Sequence, residues 1–465
     1  MADLSSLSRE ELIDLIVAQQ RMIEDQQRQI AELREEIDEL RRGGKRQAAP
    51  FSKGQRVTNP KRPGRKPGQG PFSRRELRLE DATETILVAP PECCPDCGGD
   101  LEPLREEMAT TTDTPPLPRP VVTAYRVSVC RCRQCGKKVR GSAPGLAEDQ
   151  AGATAHRVGP NVMAAAHMLH YSIGIPVRRV PAVLAELTGV KVTQSALTQD
   201  ALRRAAGAVG AAYQQLRGQV PEAPVVYTDD TGWRVGGRTA FLMGFDTDRV
   251  TVYQIRDRHR NEEVREIIPA DYQGTMVCDR GKSYEAKEMA AVAQQKCNSH
   301  LITNASEVLE TKRGPARRFA TRLKVLLKAG LALWHARGAL SREEFQRRFQ
   351  ELEEALTKHL SNRILSDDDN QNLLNGIGAQ HDRGRLLRYL EVEGVEPTNN
   401  RAERILRPAV IARKVSHCSK NRRGAEAFAA FVSIAQTARK DARQSVSQAF
   451  RALFVPGVPD EEFAR

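Results

Sequence analysis

The stretch VVYTDDTGWRVGG, residues 225–237, is an apolar run that reaches two adjacent aspartates. Val225, Val226 and Tyr227 are residues that favour a buried strand. Carboxylates carried out of such a strand cost several kcal/mol if nothing pairs with them, on the order of what holds a whole domain together. A cation is therefore expected beside Asp229 and Asp230, either an arginine or a metal ion.

The chain on either side of this stretch predicts an alternation of elements. TAFLMGFDT (239–247) and VTVYQIRD (250–257) read as two more strands, NEEVREII (261–268) as a helix, and TMVCDRG (275–281) as a fourth strand that ends at Asp279. A helix over 285–295 and a strand near 297–303 are expected next. Three antiparallel strands followed by strand–helix units form the pattern of an α/β, RNase H-like fold. In that layout the first and fourth strands lie side by side, which brings Asp229 and Asp279 to one spot. A third acidic residue is expected from a returning helix, and PTNNRAERILRPAVIARK (397–414) offers Glu403 in its first turn. With Asn400 as cap, Glu403 would sit where capping-box glutamates sit. That alternative leaves Arg401, Arg404, Arg407, Arg413 and Lys414 unexplained, whereas cations beside a carboxylate suit an approaching phosphate backbone.

The N-terminal third has a different composition. Residues 8–42 read as one helix, with Ser8 and Glu11 at capping-box spacing and Ile16, Ile23, Ile30 and Ile37 recurring every seven residues beside Leu12, Leu33 and Leu40. Such a seam predicts a parallel coiled coil, hence a homodimer or higher oligomer. From Arg41 to Arg75 there are 12 Lys and Arg and no Asp or Glu, within a net charge of +13. The KRPGRKPGQG segment (61–70) inside it is extended, either a solvated tether or an arm whose Arg62, Arg65 and Lys66 reach DNA.

CCPDCGG (93–99) and CRCRQCGKK (130–138) each hold a CxxC followed by glycine, with a strand expected over 121–129 between them. Cys94, Cys97, Cys132 and Cys135 at that spacing predict a zinc ribbon holding one structural Zn²⁺, with Cys93 and Cys130 as spare thiols. Three helices over 158–206 have the outline of a helix-turn-helix. No signal peptide or membrane-length apolar run is present, so the chain is expected to be cytoplasmic and nucleoid-associated, with no membrane partner.

The motifs TDDTGWRV, VCDRGKSY, CNSH (Cys297, His300) and above all TNNRAERILRPAVIARK resemble those of DDE transposases of the insertion-sequence sixty-six (TnpC-type) family. The order of a zipper-like helix, a basic Gly-Arg-Lys-Pro segment, a CPxCG domain and a catalytic domain is similar too. By position, the resemblance makes Asp229, Asp279 and Glu403 the catalytic triad. It implies two Mg²⁺ (or Mn²⁺) ions per active site, held by these same three residues, and DNA, both element ends and target, as substrate. Arg404, Arg407, Arg413 and Lys414 are then DNA-facing, and accessory proteins of the same element are candidate partners. The family has Asp-Glu-Thr where this chain has Asp229-Asp230-Thr231, Cys-Trp-Ala-His at CNSH, and Arg-Lys-Asn-Trp at 413–416, so either aspartate can be the first metal ligand.

The expected organisation is a coiled-coil helix (1–43), a basic linker (44–78), a zinc ribbon (79–150) and a helical DNA-binding module (151–220). An RNase H-like catalytic domain (221–309 and 396–440) follows, with an all-α insertion (310–395) that screens the site and a C-terminal helix and tail (441–465). The alternatives are an RNase H-like nuclease that cuts without joining, and an inactive descendant that only binds DNA.

Overall fold

The computed structural model describes residues 155–455 without a break, 119–152, 84–102 and isolated positions before 112. Of the N-terminal helix, Gln19, Gln20, Met22 and Ile23 are helical and exposed. Most of its seam, the linker with Arg62, Arg65 and Lys66, and the tail after 455 lie outside the described residues. The chain divides into two units, Met1–Thr112 and Asp113–Arg465.

In the second unit β1 (Val129–Arg131) and β2 (Lys138–Arg140) form a small antiparallel hairpin. The strand expected over 121–129 is thus confined to its last residue; Val121 and Val122 are exposed. Four helices follow: α1 (Pro160–His167), α2 (Val180–Thr188), α3 (Gln194–Ala205) and α4 (Ala208–Gln219). Gly189, at φ 73°, ends α2 in the left-handed conformation, and the Thr193 hydroxyl caps α3.

The main sheet has five strands: β3 (Val225–Val235), β4 (Arg238–Asp246), β5 (Thr251–Arg256), β6 (Thr275–Cys278) and β7 (Ala293–Lys296), with α5 (Asn261–Arg265) between β5 and β6. Their order is β5-β4-β3-β6-β7, antiparallel from β5 to β3 and parallel from β3 to β7. Gly236 and Gly237, both at positive φ, make the two-residue turn into β4. β3 therefore runs four residues past Thr231, and both aspartates lie within its pairing with β4.

Residues 285–303 differ from expectation. Two short 3₁₀ turns (Lys282–Tyr284, Lys287–Met289) and β7 replace the expected helix, and α6 (Asn298–Thr311) replaces the expected strand. β7 reads AQQK and carries no hydrophobic signal, yet Gln294, Gln295 and Lys296 are all buried. Their polar groups satisfy backbone that no strand reaches: Gln294 donates to the Tyr284 carbonyl (2.9 Å) and Gln295 to the Leu386 carbonyl (3.1 Å).

Beyond α6 come α7 (Arg318–Ala336), α8 (Arg342–Leu360), α9 (Asp368–Asp382) and the single turn α10 (Arg388–Glu391), then α11 (Asn400–Ser416), α12 (Arg422–Ala438) and α13 (Val446–Phe454). Side chains alternate across a strand, so β3 divides its residues between two cores. Val225 and Tyr227 join Val277, Leu301, Leu323, Leu356 and Ala402 on the side of the helical insertion and α11. Val226 joins Phe245, Met276, Cys278, Tyr284 and the helices of 160–219 on the other. Both sheet edges are closed: Ser433 and Thr437 of α12 accept the outward amides of β5, and Lys296 N bonds Arg385 O (2.8 Å).

Candidate active site

The parallel register of β3 and β6 ends at Tyr227 opposite Val277. Asp229 and Asp279 each lie two residues further on. By alternation both belong to the face that carries Tyr227 and Val277, the face covered by α11 and the insertion. Asp230 points the other way: its Oδ1 lies 3.0 Å from His259 Nδ1, and His259 Nε2 lies 3.1 Å from Ser283 Oγ. This line of contacts holds Asp230 against the opposite core, so the two aspartates occupy different environments.

Glu403 comes to the same face on α11. The helix begins deep in the protein, with Asn399 fully buried. The Asn399 amide side chain donates to the Thr228 carbonyl (2.8 Å), its backbone N–H points to Cys297 Sγ (3.2 Å), and Asn298 N bonds Pro397 O (2.9 Å). The helix start is thus fastened to the residue before Asp229 and to the end of β7. Because Asn399 is the N-cap and uses its side chain on β3, it makes no side-chain cap bond, and Asn400 is already inside the helix. Glu403 stands one position beyond the capping-box site, so the capping alternative is removed. Close approach of α11 needs Gly244, which pairs with Asp229 across β3–β4. A Cβ there would lie 2.8 Å from Ile405 Cδ1 and 3.1 Å from Leu406 Cδ2.

The electrostatics record this convergence. Burial pushes the Asp229 carboxyl up to about 7, with Asp279 and Asp230 adding to the effect against the Asp230 amide and His300. The hydrogen bond with Cys297 raises His300 to about 9 against its burial, with Asp279 and Glu403 contributing. Burial opposes ionisation of Cys297, but the hydrogen bonds of His300 and the Asn399 amide outweigh it and lower the thiol. Asp279 Oδ1 accepts from Gly281 N (2.8 Å), and a Cβ on Gly281 would lie 2.9 Å from that oxygen. Among the described residues no three His, Cys, Asp or Glu side chains stand at metal-ligand spacing. Asp229 lies within the electrostatic reach of Asp279, and His300 within that of both Asp279 and Glu403, without a closed cage of ligands. As a donor set the carboxylates fit hard divalent cations: all oxygen, with Asp229 and Asp279 repelling each other and Asp229 reluctant to ionise without a cation.

The basic run of α11 divides in two. Arg401 pairs with Asp246 (2.5 Å) and Asp248 (2.6 Å) and lies 4.9 Å over the Tyr227 ring, while Lys440 shares Asp246 (2.7 Å). Arg413 is half-buried and donates to Gly232 O and Thr231 Oγ1. Both fasten α11 to the sheet. Arg404, Arg407 and Lys414 are exposed.

The two CxxC stretches fold alike. In the first unit Gly98 N bonds Cys94 O and Cys94 N bonds Gly99 O, both at 2.9 Å; in the second, Gly136 N bonds Cys132 O (3.0 Å) and Cys132 N bonds Lys137 O (2.8 Å). Gly98 and Gly136 take φ near +70°, so backbone amides turn toward the first thiol of each. Those amides, from Asp96 and Cys97 in one and from Cys135 and Gln134 in the other, lower Cys94 and Cys132.

His259, Lys296 and Asn399 went unread in the sequence. Only the Asn399-Asn400 pair carried a signal, as a helix start. The sequence model of the transposase IS66 family matches residues 156–427, more than half of the chain and a span that contains Asp229, Asp279 and Glu403. No curated protein matches the chain.

Proposed function

The chain belongs to the transposase IS66 family, a family of DDE transposases, and on that premise we propose that Asp229, Asp279 and Glu403 are its catalytic carboxylates, acting on the ends of a mobile DNA element. The observation that carries this reading is the shared face: two aspartates two residues past one parallel register, beneath a helix start bonded to Thr228. Asp229, not Asp230, is the first ligand, because Asp230 is occupied with His259.

Asp229, Asp279 and Glu403 would hold two Mg²⁺ (or Mn²⁺) ions, which when bound supply a more acidic water and neutralise charge at the leaving oxygen. The chain's own part is to gather three anions at one place. Asn399 and Gly244 set the approach of Glu403, and His300 supplies the positive charge that offsets the carboxylates. In cutting, water attacks the phosphorus at the element end, a new P–O bond forms, and the bond to the 3′-oxygen breaks. In joining, the freed 3′-hydroxyl attacks a target phosphodiester, whose own 3′-oxygen leaves. Only the attacking oxygen differs, so one site serves both steps.

Arg404, Arg407 and Lys414 would meet the phosphates on the exposed side of α11, with Arg62, Arg65 and Lys66 as an arm. Arg413 is better placed as a brace between α11 and β3 than as a DNA contact. The knuckles Cys94/Cys97 and Cys132/Cys135 each supply a pair of thiols whose chemistry suits structural Zn²⁺, and the N-terminal helix would pair chains. Among the described residues no helix is long and apolar enough to cross a membrane.

The test is a gel assay with labelled element-end DNA, intact and pre-cleaved. Asp279→Ala and Glu403→Ala are expected to bind the end and yield neither nicked nor joined product. Full activity in either variant would overturn the assignment. Cleavage without joining of the pre-cleaved end would make the protein a nuclease.

A further inference from the structure

Lys296 has no exposed surface at all. It ends β7 opposite Cys278, and its ammonium meets three groups: Glu285 Oε1 at 2.6 Å, the Asp279 carbonyl at 3.0 Å and Cys278 Sγ at 3.4 Å. The Glu285 contact is an ion pair by distance, without the alignment of a straight hydrogen bond. Glu285 in turn accepts from Gln380 (3.1 Å), Arg383 (2.9 Å) and Arg385 (3.1 Å), residues at and just beyond the end of α9. Burial works against the Glu285 charge, but Lys296, Gln380 and Arg385 outweigh it and hold its carboxyl below the ordinary value.

A buried ammonium costs several kcal/mol of desolvation, and an apolar side chain of similar volume often fills such a place at no loss of stability. What a lysine adds here that a methionine would not is a donor aimed at one carbonyl. The β6–β7 ladder ends at the Cys278–Lys296 pair, so regular pairing no longer holds the backbone at Asp279. The Lys296 ammonium takes over where the ladder stops.

We propose that Lys296 is a positioning residue for Asp279, fixing the backbone of that carboxylate at the end of β6 and tying it through Glu285 to the segment that closes the helical insertion. The proposal rests on Asp279 being a metal ligand, as assigned above. It makes the insertion a mechanical support of the site as well as its neighbour.

The test is Mn²⁺ binding to the full chain, followed by electron paramagnetic resonance without DNA, for wild type, Asp279→Ala, Lys296→Met and Lys296→Arg. Removing the ammonium and keeping Glu285 leaves the surroundings more negative, so electrostatics alone would tighten Mn²⁺ binding. Lost positioning weakens it, by about tenfold or more on the scale of other outer contacts to metal ligands. The expected result for Lys296→Met is an unchanged number of sites with that loss of affinity. The site number separates positioning from misfolding. Should Lys296→Met not fold, Lys296→Arg keeps the charge, moves the donor off the carbonyl, and is expected to weaken binding in the same direction. Unchanged or tighter Mn²⁺ binding in a folded variant, with Asp279→Ala abolishing it, would overturn the role of Lys296 alone. Equal binding by Asp279→Ala and wild type would overturn the metal site and the role together.

Discussion

Replacing Asp229 by asparagine is expected to stabilise the metal-free protein at alkaline pH while abolishing its chemistry. The carboxyl is held at about 7 in the folded chain, chiefly by burial, against an ordinary 3.8. Between those values the native state keeps a proton that the unfolded chain has lost, so unfolding releases it and stability falls as pH rises. Below the lower value both states are protonated and no penalty exists; above about 7 it is complete. About three pH units at roughly 1.4 kcal/mol each give an upper bound of about 4 kcal/mol. Partial exposure and sharing with Asp279 reduce that to about 1–3 kcal/mol. Asparagine keeps the shape and cannot ionise, so it removes the penalty. Calorimetric melts in a chelator from pH 5 to 8.5 are expected to separate the two proteins progressively up to about pH 7 and then by a constant amount, at about 1–2 °C per kcal/mol for a unit of this size. Added Mn²⁺ is expected to raise the wild-type melting temperature and leave the variant unchanged. Parallel pH profiles, or a variant less stable than wild type at pH 8, would refute the argument that burial and like charge dominate this site.

Asn399→Ala removes the bond to Thr228 and is expected to cost about 1–3 kcal/mol. Because that bond positions Glu403, cleavage should fall by more than thermal stability explains, read as rate against fraction folded. Arg401→Ala leaves Asp246 with Lys440 and the Thr251 hydroxyl and is expected to cost about 1.5–3 kcal/mol in denaturant unfolding. Arg404→Ala and Arg407→Ala should lie within about 0.5 kcal/mol of wild type in stability. Each should instead lower the salt slope of DNA binding by about one. Cys132→Ser is expected to release less Zn²⁺ per chain than wild type in a colorimetric chelator assay.

Much of the architecture was legible because its signals are local. Apolar runs broken by turn residues mark β3, β4, β5 and β6. The NNRAER block announced both a helix start and a third carboxylate. β7 was invisible because its inward side chains are amides and an ammonium, whose burial depends on partners such as Leu386 and Glu285 about a hundred or fewer positions away.

From the sequence alone came the three acidic positions, four of the five strands in chain order, and two thiol knuckles of equal spacing, since each depends only on residue type and short-range periodicity. Tertiary structure decided what no periodicity encodes. Asp230 turns to His259, Arg401 and Arg413 act as braces inside the fold, and Asn399 spends its side chain on β3 rather than on its own helix. The physical reason is common to all of them: a polar side chain is defined by the partner that satisfies it, and those partners arrive from distant parts of the chain only once the sheet and its covering helices have closed.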